Sequence, residues 1–334
     1  MKAAQEGWFP AQKVRPATQL KNLPLKNAIL IANPLAGIRS TRRSHHIHKA
    51  VAILRRAGIA ADLQFTSGTG DGKRLASEAV RRGCDLVIAC GGDGTINEVI
   101  NGLAPSQVPL AILPGGTANI VAKELGIPGR IVKSARQLPS WRPCRVALGR
   151  ASWKESGSTL QRYFMAVAGI GFDAHIISQL NVNMKLRLGV FAYVWEAVRQ
   201  VVRYKFPRFR LNLDGLEVSA TFAVVQRSSR YAGWLRLARP HNIHQSGFSC
   251  CLFAGSSPER YLRYAIGILT QSHRRLKDVH SPAGSHVCCI SEKTEEPIYF
   301  EVDGELAGHI PVTFEVVPDA LTILVPNSFF SSSV

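Results

Sequence analysis

The chain has 334 residues, 46% hydrophobic and 19% charged, which leaves room for two cored domains and excludes general disorder. A formal charge of +18 attracts polyanions: nucleotides, nucleic acid or an anionic membrane surface. No zinc-finger spacing or RNA-binding aromatic signature accompanies that charge, so no specific nucleic acid is expected; no run of 18 apolar residues and no apolar leader appears, so neither a spanning helix nor a signal peptide is expected.

Residues 1–26 carry Lys2, Lys13, Arg15, Lys21 and Lys26 against Glu6 alone, with two prolines and no periodicity. They read as a flexible basic arm, with Trp8-Phe9 as an interfacial anchor or as part of a plain terminus. Ala28 to Ala32 predicts a strand, Asn33-Pro34-Leu35-Ala36-Gly37 a turn, and Thr41 to Ala57 a helix (Ile47, Val51, Leu54). Within it, Arg42, Arg43, His45, His46 and His48 read as a solvated basic face; three such histidines share no helical face well enough to clamp a metal. Ile59 to Phe65 predicts a second strand, Thr66 to Gly72 a polar loop, and a helix with Leu75, Ala76 and Ala79 returns the chain to a third strand, Asp85 to Cys90.

Gly91-Gly92-Asp93-Gly94-Thr95-Ile96-Asn97-Glu98 follows that strand and opens a helix that Asn101-Gly102 is expected to stop. Glycines let backbone N–H groups approach an anion, and a helix N-terminus adds its positive dipole end. Asp93 is the anomaly: a carboxylate among phosphate-binding glycines makes sense if a metal ion or a proton lies between it and the phosphate, and otherwise as an N-cap. Leu110 to Leu113, Pro114-Gly115-Gly116-Thr117 and Ala118 to Leu125 repeat the strand–glycine–helix unit. The alternation predicts an α/β N-terminal domain over 27–145, a parallel sheet with flanking helices.

From Val146 strands dominate: Tyr163 to Ala168, Phe209 to Leu213, Glu217 to Gln226, Phe248 to Phe253, Val287 to Ser291, Ile298 to Val302 and Val312 to Val317, with Asp214-Gly215 and Asp303-Gly304 as hairpin turns. This is a β-rich C-terminal domain over 146–326, then a tail over 327–334. Between Lys185 and Tyr204 a helical face of Phe191, Val194, Trp195, Val198, Val201 and Val202 is flanked by Arg187, Arg199, Arg203 and Lys205. It is either packed on the β domain or turned to lipid, and packing is the default. Seven cysteines, with 250–251 and 288–289 adjacent, read as buried thiols, because neighbours on a strand point to opposite faces.

Five blocks stand in order: Asn33-Pro34-x-x-Gly37, GGDGTINEVING, Leu113-Pro114-Gly115-Gly116-Thr117-Ala118-Asn119, Gly169-Ile170-Gly171-Phe172-Asp173-Ala174, and Asp303-Gly304-Glu305. Together they resemble the diacylglycerol kinase catalytic family, which includes bacterial lipid kinases and sphingosine kinases, over roughly 28–326. NAD kinases share GGDGT, but not the NEVING and LPGGTAN continuations. The resemblance implies an NAD-kinase/diacylglycerol-kinase-like fold and transfer of the γ-phosphate of ATP to a lipid hydroxyl, diacylglycerol-like or sphingoid-like, with Mg²⁺ required. It implies nucleotide contacts from Asn33, Pro34, Thr66, Gly91, Gly92, Asp93, Gly94, Thr95, Asn97, Glu98, Gly115, Gly116, Thr117 and Asn119, with Asp93 on the metal. It makes Asp303 the expected general base, with Glu305 on the same strand face supporting or replacing it, and Asp93 the third catalytic carboxylate. Other members often carry an acidic block for an accessory Mg²⁺ where this chain has Gln245-Ser246, so that site is expected to be missing. A non-catalytic nucleotide- or lipid-binding regulator and an NAD-kinase-like small-molecule kinase stay open. Expected partners are ATP, a lipid substrate and the anionic inner face of the membrane, for a cytoplasmic, peripheral protein; a homodimer stays open.

Overall fold

A computed structural model describes residues 25–34, 40–179, 190–231, 235–238, 247–292 and 296–331, with the side chains of 40–42 and 190–194 left undescribed. The basic arm up to Pro24, Gly37 and the Gln245-Ser246 block lie outside the described residues. The chain divides into two units, 149–317 and, among described residues, 25–148 with 318–331.

The α/β unit runs β1 (Asn27–Ala32), α1 (Ser40–Arg56), β2 (Ala60–Phe65), α2 (Asp71–Arg81), β3 (Leu86–Gly91), α3 (Asp93–Leu103), β4 (Leu110–Pro114), α4 (Ile120–Glu124) and α5 (Ile131–Gln137). The strands pair in parallel in the order β2-β1-β3-β4. β3 and β4 are buried along their whole length, as expected of a sheet covered on both faces. The chain moves outward from β1 to β2 and back across to β3 and β4. Right-handed crossovers therefore place α1 on one face and α2 with α3 on the other. That reversal leaves a switch point between the carboxyl ends of β1 and β3, the ends occupied by Asn33 and by Gly91-Gly92.

Asn101-Gly102 does not stop α3, which runs on to Leu103. Gly102 serves packing instead: a Cβ there would lie 2.3 Å from the Lys73 carbonyl oxygen, so its absence lets α2 and α3 approach closely. Arg43 is a second correction. It is buried rather than solvated, whereas His45, His46 and His48 are exposed as expected.

β5 (Arg142–Glu155) leads into the β-rich unit: β6 (Ser158–Phe164), β7 (Val167–Gly171), α6 (Phe172–Gln179), α7 (Val190–Arg203), β8 (Phe209–Leu213), β9 (Leu216–Ala220), β10 (Phe222–Gln226), β11 (Phe248–Phe253), α8 (Pro258–Leu269), β12 (Val279–His280), β13 (Ala283–Gly284), β14 (His286–Ser291), β15 (Tyr299–Val302) and β16 (Glu305–His309). β17 (Val312–Val325) leaves this unit and returns the chain to the α/β unit, where it pairs with β4 at Ile323–Leu110 and is followed by α9 (Asn327–Ser331). One antiparallel sheet has the order β12-β11-β10-β7-β15-β16. A second joins the first half of β17 to β14, β8 and β9. Phe164, Phe209, Phe248, Phe300 and Phe314 fill the core between them, with Phe164 stacked on Phe248 at 5.9 Å.

Two expected strands are broken, each by a side chain that collects backbone partners. Glu217 to Gln226 is interrupted at Thr221, whose hydroxyl lies within hydrogen-bonding reach of Gly255 O (2.5 Å) and Tyr261 OH (2.9 Å). Tyr163 to Ala168 is interrupted at Met165-Ala166, where the backbone turns to Asp303. All seven cysteines are free thiols, and burial pushes Cys90, Cys144 and Cys251 up to about 12, so they stay protonated.

Candidate active site

In the α/β unit the loops after all four parallel strands lie at the carboxyl edge of the sheet. Asn33 extends β1, its N–H donating to Cys90 O at 3.1 Å, and Thr66 extends β2, donating to Ala32 O at 2.9 Å. Pro34 fixes the turn after Asn33, and Asn33 Nδ2 reaches Thr95 Oγ1 at 3.4 Å, joining the first loop to α3. The two glycine turns lie against each other. A Cβ on Gly116 would sit 2.5 Å from Gly92 Cα, and Gly115 N–H donates to Gly91 O at 2.8 Å. A Cβ on Gly91 would lie 2.5 Å from the Thr95 side chain, so neither β3 nor α3 tolerates a larger residue there. The N-cap of α3 is Gly92, which has no side chain with which to cap the helix, so the helix start at Asp93, Gly94 and Thr95 has the geometry by which helix N-termini bind anions.

Asp93 is the first residue of α3 and not its cap. Its Oδ1 accepts the N–H of Ile120 at 2.7 Å, tying the start of α3 to the start of α4. Thr117 is exposed at the tip of the second glycine turn. Three of the residues expected to touch nucleotide also shape the loops. Glu98 accepts N–H from Gly70 (2.7 Å) and Gly72 (2.8 Å), pinning the loop that begins at Thr66 to α3. Asn119, at φ +48°, closes its turn on Gly116 with reciprocal bonds of 2.8 and 2.9 Å. Asn97 is buried, with the Asn101 amide donating to its side-chain oxygen at 3.2 Å.

Two supporting residues escaped the sequence analysis. Arg43 reaches from α1 and donates to Gly115 O; burial pulls its guanidinium below the usual value. Asp71 receives the Ser67 backbone N–H at 2.8 Å and the Ser67 hydroxyl, which hold its carboxyl down to about 2 and fasten the loop after Thr66. Arginine within a basic tract and aspartate at a helix start carry no local signal of these partners.

Among the described residues no three His, Cys, Asp or Glu side chains gather as a metal cage. A lone carboxylate beside a row of N–H donors does not suit a resident metal. It suits Mg²⁺ arriving with a nucleotide, since that ion binds through one or two carboxylates, phosphate oxygens and water.

In the β-rich unit the Asp303-Gly304 hairpin forms as expected, with φ +50° and +85°. The Asp214-Gly215 hairpin is built alike, with φ +47° and +94°. Asp303 therefore lies in the turn and does not share a strand face with Glu305, which is a correction. Its carboxylate accepts three backbone N–H groups: Met165 at 3.0 Å, Ala166 at 2.9 Å and Val167 at 3.0 Å. Asp214 does the same for Ser285 (2.7 Å) and His286 (3.0 Å). Glu305, the first residue of β16, is half-buried and ion-paired with Arg162. Two further carboxylates crowd Gly169: a Cβ there would lie 2.1 Å from Asp173 Oδ2 and 2.8 Å from Glu301 Oε1. Tyr231 OH donates to Asp173 at 2.6 Å, and Glu301 accepts the Gly304 N–H at 2.6 Å. Asp173 stood in a quoted block without a role; Glu301 had no signal beyond its place before the turn.

Comparison with known proteins agrees with this architecture. Residues 27–151 match the diacylglycerol kinase catalytic domain, and 166–325 match the YegS C-terminal NAD kinase beta sandwich-like domain. The chain is 29% identical over 319 residues to a diacylglycerol kinase of Mycobacterium tuberculosis, covering 93% of this chain and 99% of that one. It is 27% identical over 310 residues to a diacylglycerol kinase of Bacillus subtilis, covering 91% and 97%. A crystal structure of a diacylglycerol kinase from Bacillus anthracis superposes with a TM-score of 0.70 at 24% identity, covering 91% of this chain and 98% of that one, and shows the same fold. With the paired glycine turns on an α/β sheet followed by a β sandwich, these matches establish that the chain belongs to the diacylglycerol kinase catalytic family.

Proposed function

We propose that this protein is an ATP-dependent lipid kinase, transferring the γ-phosphoryl group to the hydroxyl of a diacylglycerol-like lipid. The observation that carries the reading is the contact of the two glycine turns that follow β3 and β4, beside the β1/β3 switch point, with a carboxylate at the start of α3. The names of the relatives supply the acceptor class. Asn33, Thr66, Thr95 and Thr117 offer side-chain polar groups to ribose and phosphates, and the Gly91–Thr95 backbone offers N–H donors. Asp93 would hold Mg²⁺, which when bound neutralises phosphate charge.

The proton of the lipid hydroxyl goes to Glu305 in this account. Asp303 is occupied by three N–H donors and has a turn to hold; Glu305 is partly exposed and is ion-paired with Arg162. The lipid oxygen then forms its bond to the γ-phosphorus as the bridge to the β-phosphate breaks, and ADP leaves. Arg162, ion-paired with it, orients Glu305.

Incubation with ATP labelled in its γ-phosphate and a total lipid extract tests the reading. Label should appear in a phospholipid that requires added Mg²⁺. Label in NADP from added NAD, or ATP binding without any transfer, would contradict it. Gly116→Ala should weaken ATP binding about tenfold or more in calorimetry, because its Cβ must part the two turns at an overpacking cost of about 1–3 kcal/mol. Unchanged affinity would remove the Gly92–Gly116 contact from the nucleotide site.

A further inference from the structure

α7 is inside out. Glu196 and Gln200 are 6% and 5% exposed, while Trp195, Val198 and Val202, at i, i+3 and i+7 on one face, are 66% to 79% exposed. The buried polar groups satisfy one another. Gln200 Nε2 donates to Glu196 at 2.5 Å, His175 Nε2 meets Gln200 Oε1 at 3.2 Å, and Arg199 lies 3.5 Å from the Glu196 carboxylate. This is the opposite of the default packing expected from the sequence. α8 packs against α7 and repeats the pattern. Tyr261, Tyr264 and Gly267 face inward, while Leu262, Ile266 and Leu269 are 55% to 62% exposed.

The two helices are not loosely hung. Tyr204 and Phe206, just past α7, meet Phe172 of α6 and Tyr261 of α8 in a cluster with ring separations of 5.4 Å (Phe172–Tyr204) and 4.2 Å (Phe206–Tyr261). A fixed scaffold thus presents two apolar stripes outward. Exposed Arg199 and Arg203 flank the first and exposed Arg263 the second; exposed Arg274, Arg275 and Lys277 follow α8. An apolar stripe with a cationic margin is the surface of an interfacial helix.

We propose that the outer face of α7 and α8 is a membrane-docking surface for anionic phospholipid, its apolar side chains entering the acyl boundary and its arginines contacting head-group phosphates. A second copy of the chain is the poorer occupant, because a symmetric contact would bring two basic margins together on molecules of charge +18. The docking surface gives a physical reason why a water-borne enzyme could reach a bilayer substrate, and in that respect it rests on the lipid-kinase reading. Its contacts are a separate matter from catalysis.

Co-sedimentation of the full chain with phosphatidylglycerol/phosphatidylcholine vesicles tests it, comparing wild type, Trp195→Ser and the double variant Leu262→Ser with Ile266→Ser. These exposed positions leave the fold intact, which a thermal melt verifies. Each variant should lower partitioning about tenfold or more. About 0.5 M salt should lower wild-type partitioning further, and pure phosphatidylcholine should retain little protein. Trp195 emission should shift to the blue on vesicles. Wild-type partitioning in both variants would overturn the proposal, as would sedimentation equilibrium showing a lipid-free dimer that the variants dissolve. Phosphotransfer to detergent-dispersed short-chain diacylglycerol is read separately. Its absence from wild type would count against the kinase and leave the vesicle result standing.

Discussion

Asp93→Asn should give a folded protein that turns over at least about 10²-fold more slowly than wild type, the usual cost of losing a metal- or proton-handling group. The geometry makes this variant clean. An asparagine Oδ1 can still accept the Ile120 N–H, so the bond between the starts of α3 and α4 survives. Gly92 and Gly116 still touch, and the helix N-terminus still presents its donors. What the substitution removes is the charge that, in the proposed reading, would let a divalent cation share the site with phosphate. Thermal melting and kcat on one preparation check it. A variant that melts like wild type and keeps near-normal kcat would remove Asp93 from the chemistry.

The second large effect is a contrast between two neighbours. Asp303→Asn should act on stability and Glu305→Gln on rate. Asn-Gly suits a turn with both residues at positive φ, so the hairpin persists in Asp303→Asn. One of the three N–H partners at Met165–Val167, however, now faces an amide NH₂. The loss of a charge-assisted bond and the clash of donors cost about 1–3 kcal/mol, a shift of several degrees in melting temperature. Glu305→Gln keeps shape and removes the base. It should leave the melt and ATP affinity nearly unchanged while lowering kcat about 10²-fold or more. The reverse pattern, a catalytic loss at Asp303 without destabilisation and a tolerant Glu305, would return the base to Asp303.

The parts of the molecule that could be read from sequence are those set by local chemistry. Glycine punctuation after fully apolar runs located β3 and β4 and both turns, because buried parallel strands need no polar alternation. The Asp-Gly pairs announced both hairpins, because few residues accept positive φ twice in succession. What stayed hidden depends on partners far along the chain. Glu98 sits within a phosphate-loop motif, yet its carboxylate belongs to Gly70 and Gly72. Gly102 looks like a helix stop until Lys73 is seen against it. Arg43 looks solvated until Gly115 is found at its end. Asp303 and Glu305 read as a strand pair only while the turn between them is ignored. α7 shows the sharpest limit: periodicity reports that a helix has two faces and cannot say which one is buried when Glu196, Gln200 and His175 satisfy each other inside.

One measurement bears most directly on the central claim. Purified 1,2-diacylglycerol, presented in phosphatidylglycerol vesicles with γ-labelled ATP and Mg²⁺, should yield labelled phosphatidic acid in step with ADP, one for one, with the wild-type chain. Asp93→Asn and Glu305→Gln should both fall to near background. ADP released without labelled lipid, or labelled lipid formed equally well by wild type and both variants, would contradict the assignment of a lipid kinase to this site.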